Sequence, residues 1–222
     1  MKQESSNREW HSVGFGKIRR KARADDPKAV ERILNNGEKT YAIEYNCIGG
    51  ILDGIRFKDD ERYGKSWTLF VNDGDEQYAI QVSENTRYAS DLMKRIPNLV
   101  RGEWYKFTPY DFEKDGKRKQ GFSIKTADDQ PVDSFYEKFT KTEDGWKVEL
   151  LNGMQKYEGD SKDKDELKIY FMRVTKFLRD KALAFVGEHF AYEKHKDALQ
   201  KFDEEIGCEE NVPIANEENI PF

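Results

Sequence analysis

Between Tyr41 and Thr126 the chain alternates short apolar and polar positions, punctuated by turn residues, a rhythm that suits a twisted sheet and not a helical bundle. Tyr41 to Ile48 and Ile51 to Phe57 read as one long strand interrupted at Gly49-Gly50, where a backbone without side chains can bend. Ser66–Val71 and Gln77–Val82 flank Asn72-Asp73-Gly74-Asp75-Glu76, a hairpin signature. Asn85–Ile96 carries Tyr88, Leu92 and Ile96 at helical spacing, with Asn85 or Thr86 as cap and Pro97 as stop. Glu103–Phe112 and Arg118–Thr126 are again strands, joined at Asp115-Gly116, residues that tolerate the positive φ of a tight turn.

Three strands, a helix and two strands, with a kinked first strand, is the element order of the OB-fold, a five-stranded Greek-key barrel. The expected fold is therefore mainly β with helical additions: the barrel over residues 38–130, flanked by other segments. Residues 1–37 read as a basic arm and a short helix. In that arm Lys17, Arg19, Arg20, Lys21 and Arg23 form a phosphate-contacting stretch or a solvated linker. The helix would be capped at Asp26-Pro27 and carry Val30, Ile33 and Leu34 on one face. Residues 131–202 read as a helical elaboration packed on the barrel or on a second subunit. Its stripe runs through Leu167, Tyr170, Phe171, Val174, Phe177 and Leu178 and on through Phe185, Phe190, Leu199 and Phe202, with Gly187 as a candidate break. Residues 203–222 read as a disordered acidic tail.

Charge divides the same way: residues 1–130 carry a net +2, residues 131–202 are neutral, and the last twenty carry −7. A slightly basic body with an anionic tail remains compatible with a polyanionic ligand despite the overall charge of −5. Cys47 and Cys208 have no metal-ligand spacing and read as reduced thiols. The start MKQESSNREW lacks the apolar stretch of a signal peptide, and no window is apolar enough to span a bilayer, so a cytoplasmic protein without membrane association is expected. No phosphate loop or nucleophile elbow is present, and His11, His189 and His195 lack partners at metal spacing; neither enzyme activity nor a cofactor is expected.

Strand parity assigns an outer face. With Trp67, Leu69 and Val71 inward, Thr68 and Phe70 face out; with Tyr105 and Phe107 inward, Trp104, Lys106, Tyr110 and Phe112 share the outside. Tyr78, Ile80 and Val82 point in on their strand. Ile55 and Phe57 bury while Arg56 and Lys58 do not, and Lys119 and Lys125 look outward opposite Phe122 and Ile124. Rings interleaved with cations suit an unpaired strand, whose bases stack and whose phosphates pair. The tip Lys114 to Lys119, with Lys117, Arg118 and Lys119 in succession, and the loop bearing Arg62, Tyr63 and Lys65 are placed to close over such a strand.

The chain ends Glu217-Glu218-Asn219-Ile220-Pro221-Phe222, an acidic run closed by an apolar tip. This ending resembles that of phage-type and bacterial single-stranded DNA-binding proteins, whose acidic tails close on Asp-Ile-Pro-Phe; here Asn219 stands in the acid's place. The resemblance covers residues 40–126 by element order and 203–222 by motif. It implies sequence-independent coating of single-stranded DNA in replication, recombination or repair. Glu217, Glu218, Ile220, Pro221 and Phe222 would recruit partner proteins, and the tail would fold back over the basic groove until DNA displaces it. A homo-oligomer is a further expected partner. An OB-fold RNA-binding protein and a protein-interaction adaptor without nucleic-acid binding stay open beside this reading.

Overall fold

The computed structural model describes residues 8–34, 36–143, 145–160 and 162–190. The described residues open with a hairpin of β1 (Arg8–Gly14) and β2 (Lys17–Lys21), turned by Phe15-Gly16 with both φ angles positive at 54° and 69°. That two-residue geometry matches the right-handed twist of the strands it joins. β3 (Val30–Ile33) and β4 (Lys39–Tyr45) follow, and β4 pairs with both β2 and β3. The basic stretch from Lys17 is thus a ladder strand in its first five residues, with Ile18 fully buried, and not a solvated arm.

The short helix expected after Asp26 is also corrected. Asp26 Oδ1 accepts from the Lys28 amide and Asp26 O from the Ala29 amide, which closes one turn, and Val30 to Ile33 then extend along β4. A single helical turn is a poor nucleus, and the open edge of β4 supplies hydrogen-bond partners for two β-branched residues.

The single strand expected from Tyr41 to Phe57 is two: β4 ends at Tyr45 on the β2–β3 side, and β5 (Ile48–Asp60) starts beyond Asn46-Cys47 and carries Gly49-Gly50 near its start. Its first residues, Ile48 to Ile51, pair with β8 (Trp104–Lys114), and its remainder pairs with β6 (Gly64–Asn72), with a register shift between Leu52 and Gly54. A Cβ on Gly50 would lie 2.7 Å from Asn72 O, so the bend admits no side chain. β7 (Gln77–Ser83) completes a hairpin with β6, and α1 (Arg87–Met93) is capped by Thr86, whose hydroxyl accepts from the Ala89 amide. A short 3-10 turn at Ile96–Asn98 leads to β8 and then β9 (Lys117–Thr126), joined by Asp115-Gly116 with φ of 54° and 67°.

The nine strands form one curled sheet in the order β3-β4-β2-β1-β7-β6-β5-β8-β9. Among the described residues β7 and β9 do not pair; β1 runs parallel to β7 instead, from Arg8 opposite Gln77 to Ser12 opposite Gln81. The core inside the curl holds Trp67, Leu69, Ile80, Val82, Phe107, Phe122 and Ile124. α1 adds Tyr88, Leu92 and Met93 to it.

Residues 131 onward begin with a two-stranded sheet, β10 (Glu137–Thr142) and β11 (Gly145–Leu150), where helical structure was expected. The segment's aromatics alternate across that hairpin: Phe139 pairs with Val148 and Lys141 with Trp146 on one face. α2 (Lys164–His189) carries the expected stripe except at Phe171, which is exposed, and continues through Gly187; Leu178 and Ala182 are buried against the core, followed by buried Phe190. Leu199, Phe202 and the acidic segment 203–222 lie outside the described residues. No described helix is long and apolar enough to cross a membrane.

Ile18→Ala removes a fully buried side chain of the amino-terminal hairpin and is expected to lower unfolding free energy by about 2–5 kcal/mol in urea titration. An unchanged midpoint would mean that the hairpin does not belong to the folded core.

Candidate nucleic-acid interface

Ladder registers place one row of side chains across the exterior of the sheet. Trp10 on β1 stands opposite Ala79 on β7, Ala79 opposite Phe70 on β6, and Phe70 opposite Gly54 on β5. The neighbouring rows bring Arg8 and Arg56 to the same face. The guanidinium carbon of Arg8 lies 4.6 Å from the Phe70 ring centroid and that of Arg56 5.5 Å from it. Phe70, expected outside, faces away from the core, yet it is only 2% exposed; both arginines lie over its ring, and Gln77 holds Arg8 through a 3.4 Å hydrogen bond.

Buried guanidinium hydrogens ordinarily find acceptors. Nε of Arg8, Nε of Arg56, and Nε and one terminal nitrogen of Arg19 are buried without a hydrogen-bond acceptor among the described residues. Arg19 Nε is 3.4 Å from Glu44 Oε1, an ion pair without hydrogen-bond geometry. Glu44 is already gripped bidentately by Arg32 at 3.0 and 2.8 Å, which holds its carboxyl below the usual carboxylate range. Arg19 and Arg32 also lie 5.0 and 5.6 Å from the ring of Phe15, which is exposed at the β1–β2 turn. An incoming anion would supply what these donors lack.

The remaining site residues divide. Lys58 shares the Arg56 face and pairs with Asp60 at 3.2 Å. Trp104 is exposed and lies against Gly49, where a Cβ would meet its ring at 2.6 Å; Lys106 pairs across the strand with that same glycine. Phe112, Lys117 and Lys119 are exposed toward the β8–β9 tip. Arg118 is committed to Asp111 by hydrogen bonds of 2.7 and 2.6 Å, which lower the Asp111 pKa.

Tyr110 keeps the expected face, its ring 5.9 Å from that of Phe112, and is half-buried. Its hydroxyl reaches Asp91 Oδ2 on α1 at 3.4 Å, and its ring covers Gly121, where a Cβ would lie 2.5 Å from Cζ. It therefore also fastens α1 to the sheet. Arg62 stacks on Tyr63 at 5.2 Å in the β5–β6 turn, and Lys65 pairs with Asp59. The tail residues Glu217, Glu218, Ile220, Pro221 and Phe222 lie outside the described residues.

Arg8, Trp10, Phe15 and Arg32 join this surface without having been singled out in the sequence. The alternation Arg8, Trp10, Ser12 outward and Glu9, His11, Val13 inward is a legible period of two in a segment read only as an arm. The β1–β2 turn is anchored on α1 and β8. The Gly16 amide donates to Tyr88 Oη at 2.8 Å, and a Cβ on Gly16 would lie 2.7 Å from the Asp111 amide nitrogen.

On the inner side of β1, His11 is edge-on to Tyr45 and Tyr78 at 5.5 and 5.6 Å. Its Nδ1 lies 3.2 Å from Glu9 O. Glu9 in turn pairs with Arg20, and Glu9, Asp73 and Glu76 line a cavity of about 180 Å³ beside the imidazole. Burial pushes the His11 pKa down, against the pull of the Glu9 carbonyl and carboxylate. Burial and the hydrogen bonds to Glu76 and Asp73 push the Tyr78 phenol well up. Among the described residues no three His, Cys, Asp or Glu side chains converge to hold a metal ion.

With its folded pKa depressed, His11 binds a proton more readily in the unfolded chain. Its contribution is whole above the unfolded value of about 6.5 and declines as pH falls below it. The urea midpoint is expected to drop between roughly pH 7 and 5, and His11→Gln to flatten that part of the profile. An identical profile in the variant would refute this assignment.

Comparison with protein-family models, curated proteins and solved structures finds no match to this chain.

Proposed function

We propose that the chain binds single-stranded DNA without sequence preference, in replication, recombination or repair, along the exterior face that carries Trp10, Phe70, Arg8 and Arg56. The observation that carries this reading is the coincidence, in adjacent rows of one sheet face, of rings and of guanidinium nitrogens buried without an acceptor among the described residues. Phosphates accept from Arg8, Arg56 and Arg19, while bases stack on the exposed Trp10, Phe15 and Trp104 rings or on the guanidinium planes. Lys58, Lys106, Phe112, Lys117 and Lys119 extend the interface along the strand.

The fold assigned with this function is an OB-fold derivative. In its support, the partial order β7-β6-β5-β8-β9, the bent β5 and the helix between β7 and β8 follow that fold's arrangement. The amino-terminal hairpin takes the edge of β7. The tip Glu217, Glu218, Ile220, Pro221 and Phe222 recruits replication or repair proteins, a role supported by its acidic and apolar sequence.

Fluorescence anisotropy of labelled oligo-dT and of a matched duplex across a salt series tests the reading. Strong preference for oligo-dT with a steep salt slope is expected. Trp10→Ala should weaken oligo-dT binding by about 1–3 kcal/mol. Arg8→Ala with Arg56→Ala should lower the magnitude of the salt slope by roughly two, one for each phosphate that is no longer neutralised. Equal affinity for duplex, or indifference to all three substitutions, would reject the assignment; tighter binding of a matched RNA oligomer would change the nucleic acid.

A further inference from the structure

A groove of about 1160 Å³ opens between α1 and the first half of α2, and it shares no residue with the Arg8–Phe70–Arg56 cluster. Its two acids are internally engaged. Glu84, 5% exposed, lies 3.3 Å from Arg179, and Asp91 accepts from the Phe122 amide at 3.1 Å. Lys94 is neutralised by Glu137 at 2.7 Å. Arg87, Lys164, Lys168 and Lys176 remain, with no ion-pair partner among the described residues. The groove thus presents a net positive charge to whatever enters it.

Along α2 the pattern is specific. Lys168, Met172 and Lys176 are spaced four residues apart, so they form one stripe with about 6 Å between successive side chains. Met172 is 64% exposed and Phe171 beside it 58%, unusual for large apolar groups on a helix whose later turns are buried at Leu178 and Ala182. An extended peptide repeats on one face every second residue, about 6.6 Å. Acid, apolar and acid at alternate positions of such a peptide therefore register with cation, methionine and cation. A phosphodiester backbone tracking the same stripe carries a charge at every step and would set a phosphate against Met172, where the peptide sets an apolar side chain.

We propose that this groove is a protein-docking site for an extended acidic segment of a partner protein, with a large apolar residue two positions from a carboxylate on each side. The apolar side chain enters between Phe171 and Met172, and the flanking carboxylates pair with Lys168 and Lys176. The proposal goes beyond the nucleic-acid reading and does not depend on it.

The test uses the full chain and a fluorescein-labelled, end-capped peptide Glu-Thr-Leu-Thr-Glu, read by anisotropy beside labelled oligo-dT. Saturable peptide binding is expected. Lys168→Glu with Lys176→Glu should weaken it by about tenfold or more. Met172→Ser, or serine in place of the peptide leucine, should weaken it by about threefold or more. All three substituted positions are exposed, so folding should persist, and the oligo-dT affinity of Met172→Ser should stay within about twofold of the parent. Absence of saturation up to millimolar peptide, or peptide affinity indifferent to the double charge reversal, would overturn the proposal. Loss of oligo-dT binding with peptide binding intact in the charge-reversed variant would assign the groove to nucleic acid instead.

Discussion

The parallel pairing of β1 with β7 is the interaction on which the rest of the architecture turns. A curled sheet whose end strands do not meet leaves a row of unpaired amides and carbonyls along β7, a costly and adhesive edge. Arg8 to Ser12 satisfy that edge, and the hairpin behind them inserts Ile18 into the core and seats its turn against Tyr110 and Asp111. The polar sequence of β1 and β2 is stable there because the ladder satisfies its backbone and its alternate side chains reach opposite environments.

That alternation gives a single strand two chemistries. Inward, Glu9 and His11 form a tight polar cluster with Arg20, Tyr45 and Tyr78. Outward, Arg8 and Trp10 arrive beside Phe70, which β6 already presents between Thr68 and Asn72. Burying guanidinium nitrogens without acceptors costs free energy. Under the proposed reading, phosphates and bases would take the place of their present neighbours.

The helical side is tied to the sheet by carboxylates. Asp91 on α1 takes the Phe122 amide and the Tyr110 hydroxyl, while Asp111 on β8 takes Arg118, Gln120 and the Tyr88 hydroxyl. These links hold the β8–β9 hairpin in a set orientation to α1, so its tip projects from a fixed base. The fully buried residues of α2, Leu178 and Ala182, lie in its second half, with Val174 packed against the core just before them, and the earlier turns bound a groove.

Much of the central region was legible from residues 41–126 because its elements carry strong local signals. Thr86 caps the helix, Asp115-Gly116 turn the last hairpin, Gly49-Gly50 mark the bend, and the inward set Trp67, Leu69, Val71, Phe107 and Phe122 is buried as periodicity dictates. These are short-range choices, governed by propensity and by period, which the chain makes wherever it is placed. The burial of Phe70, the hydrogen bond of Tyr110 to Asp91, the strand at Val30–Ile33 and the recruitment of Arg8 and Trp10 were set by neighbours distant along the chain. No local pattern specifies which free edge a weakly apolar segment will complete, since the hydrogen bonds that stabilise it exist only after the sheet has curled.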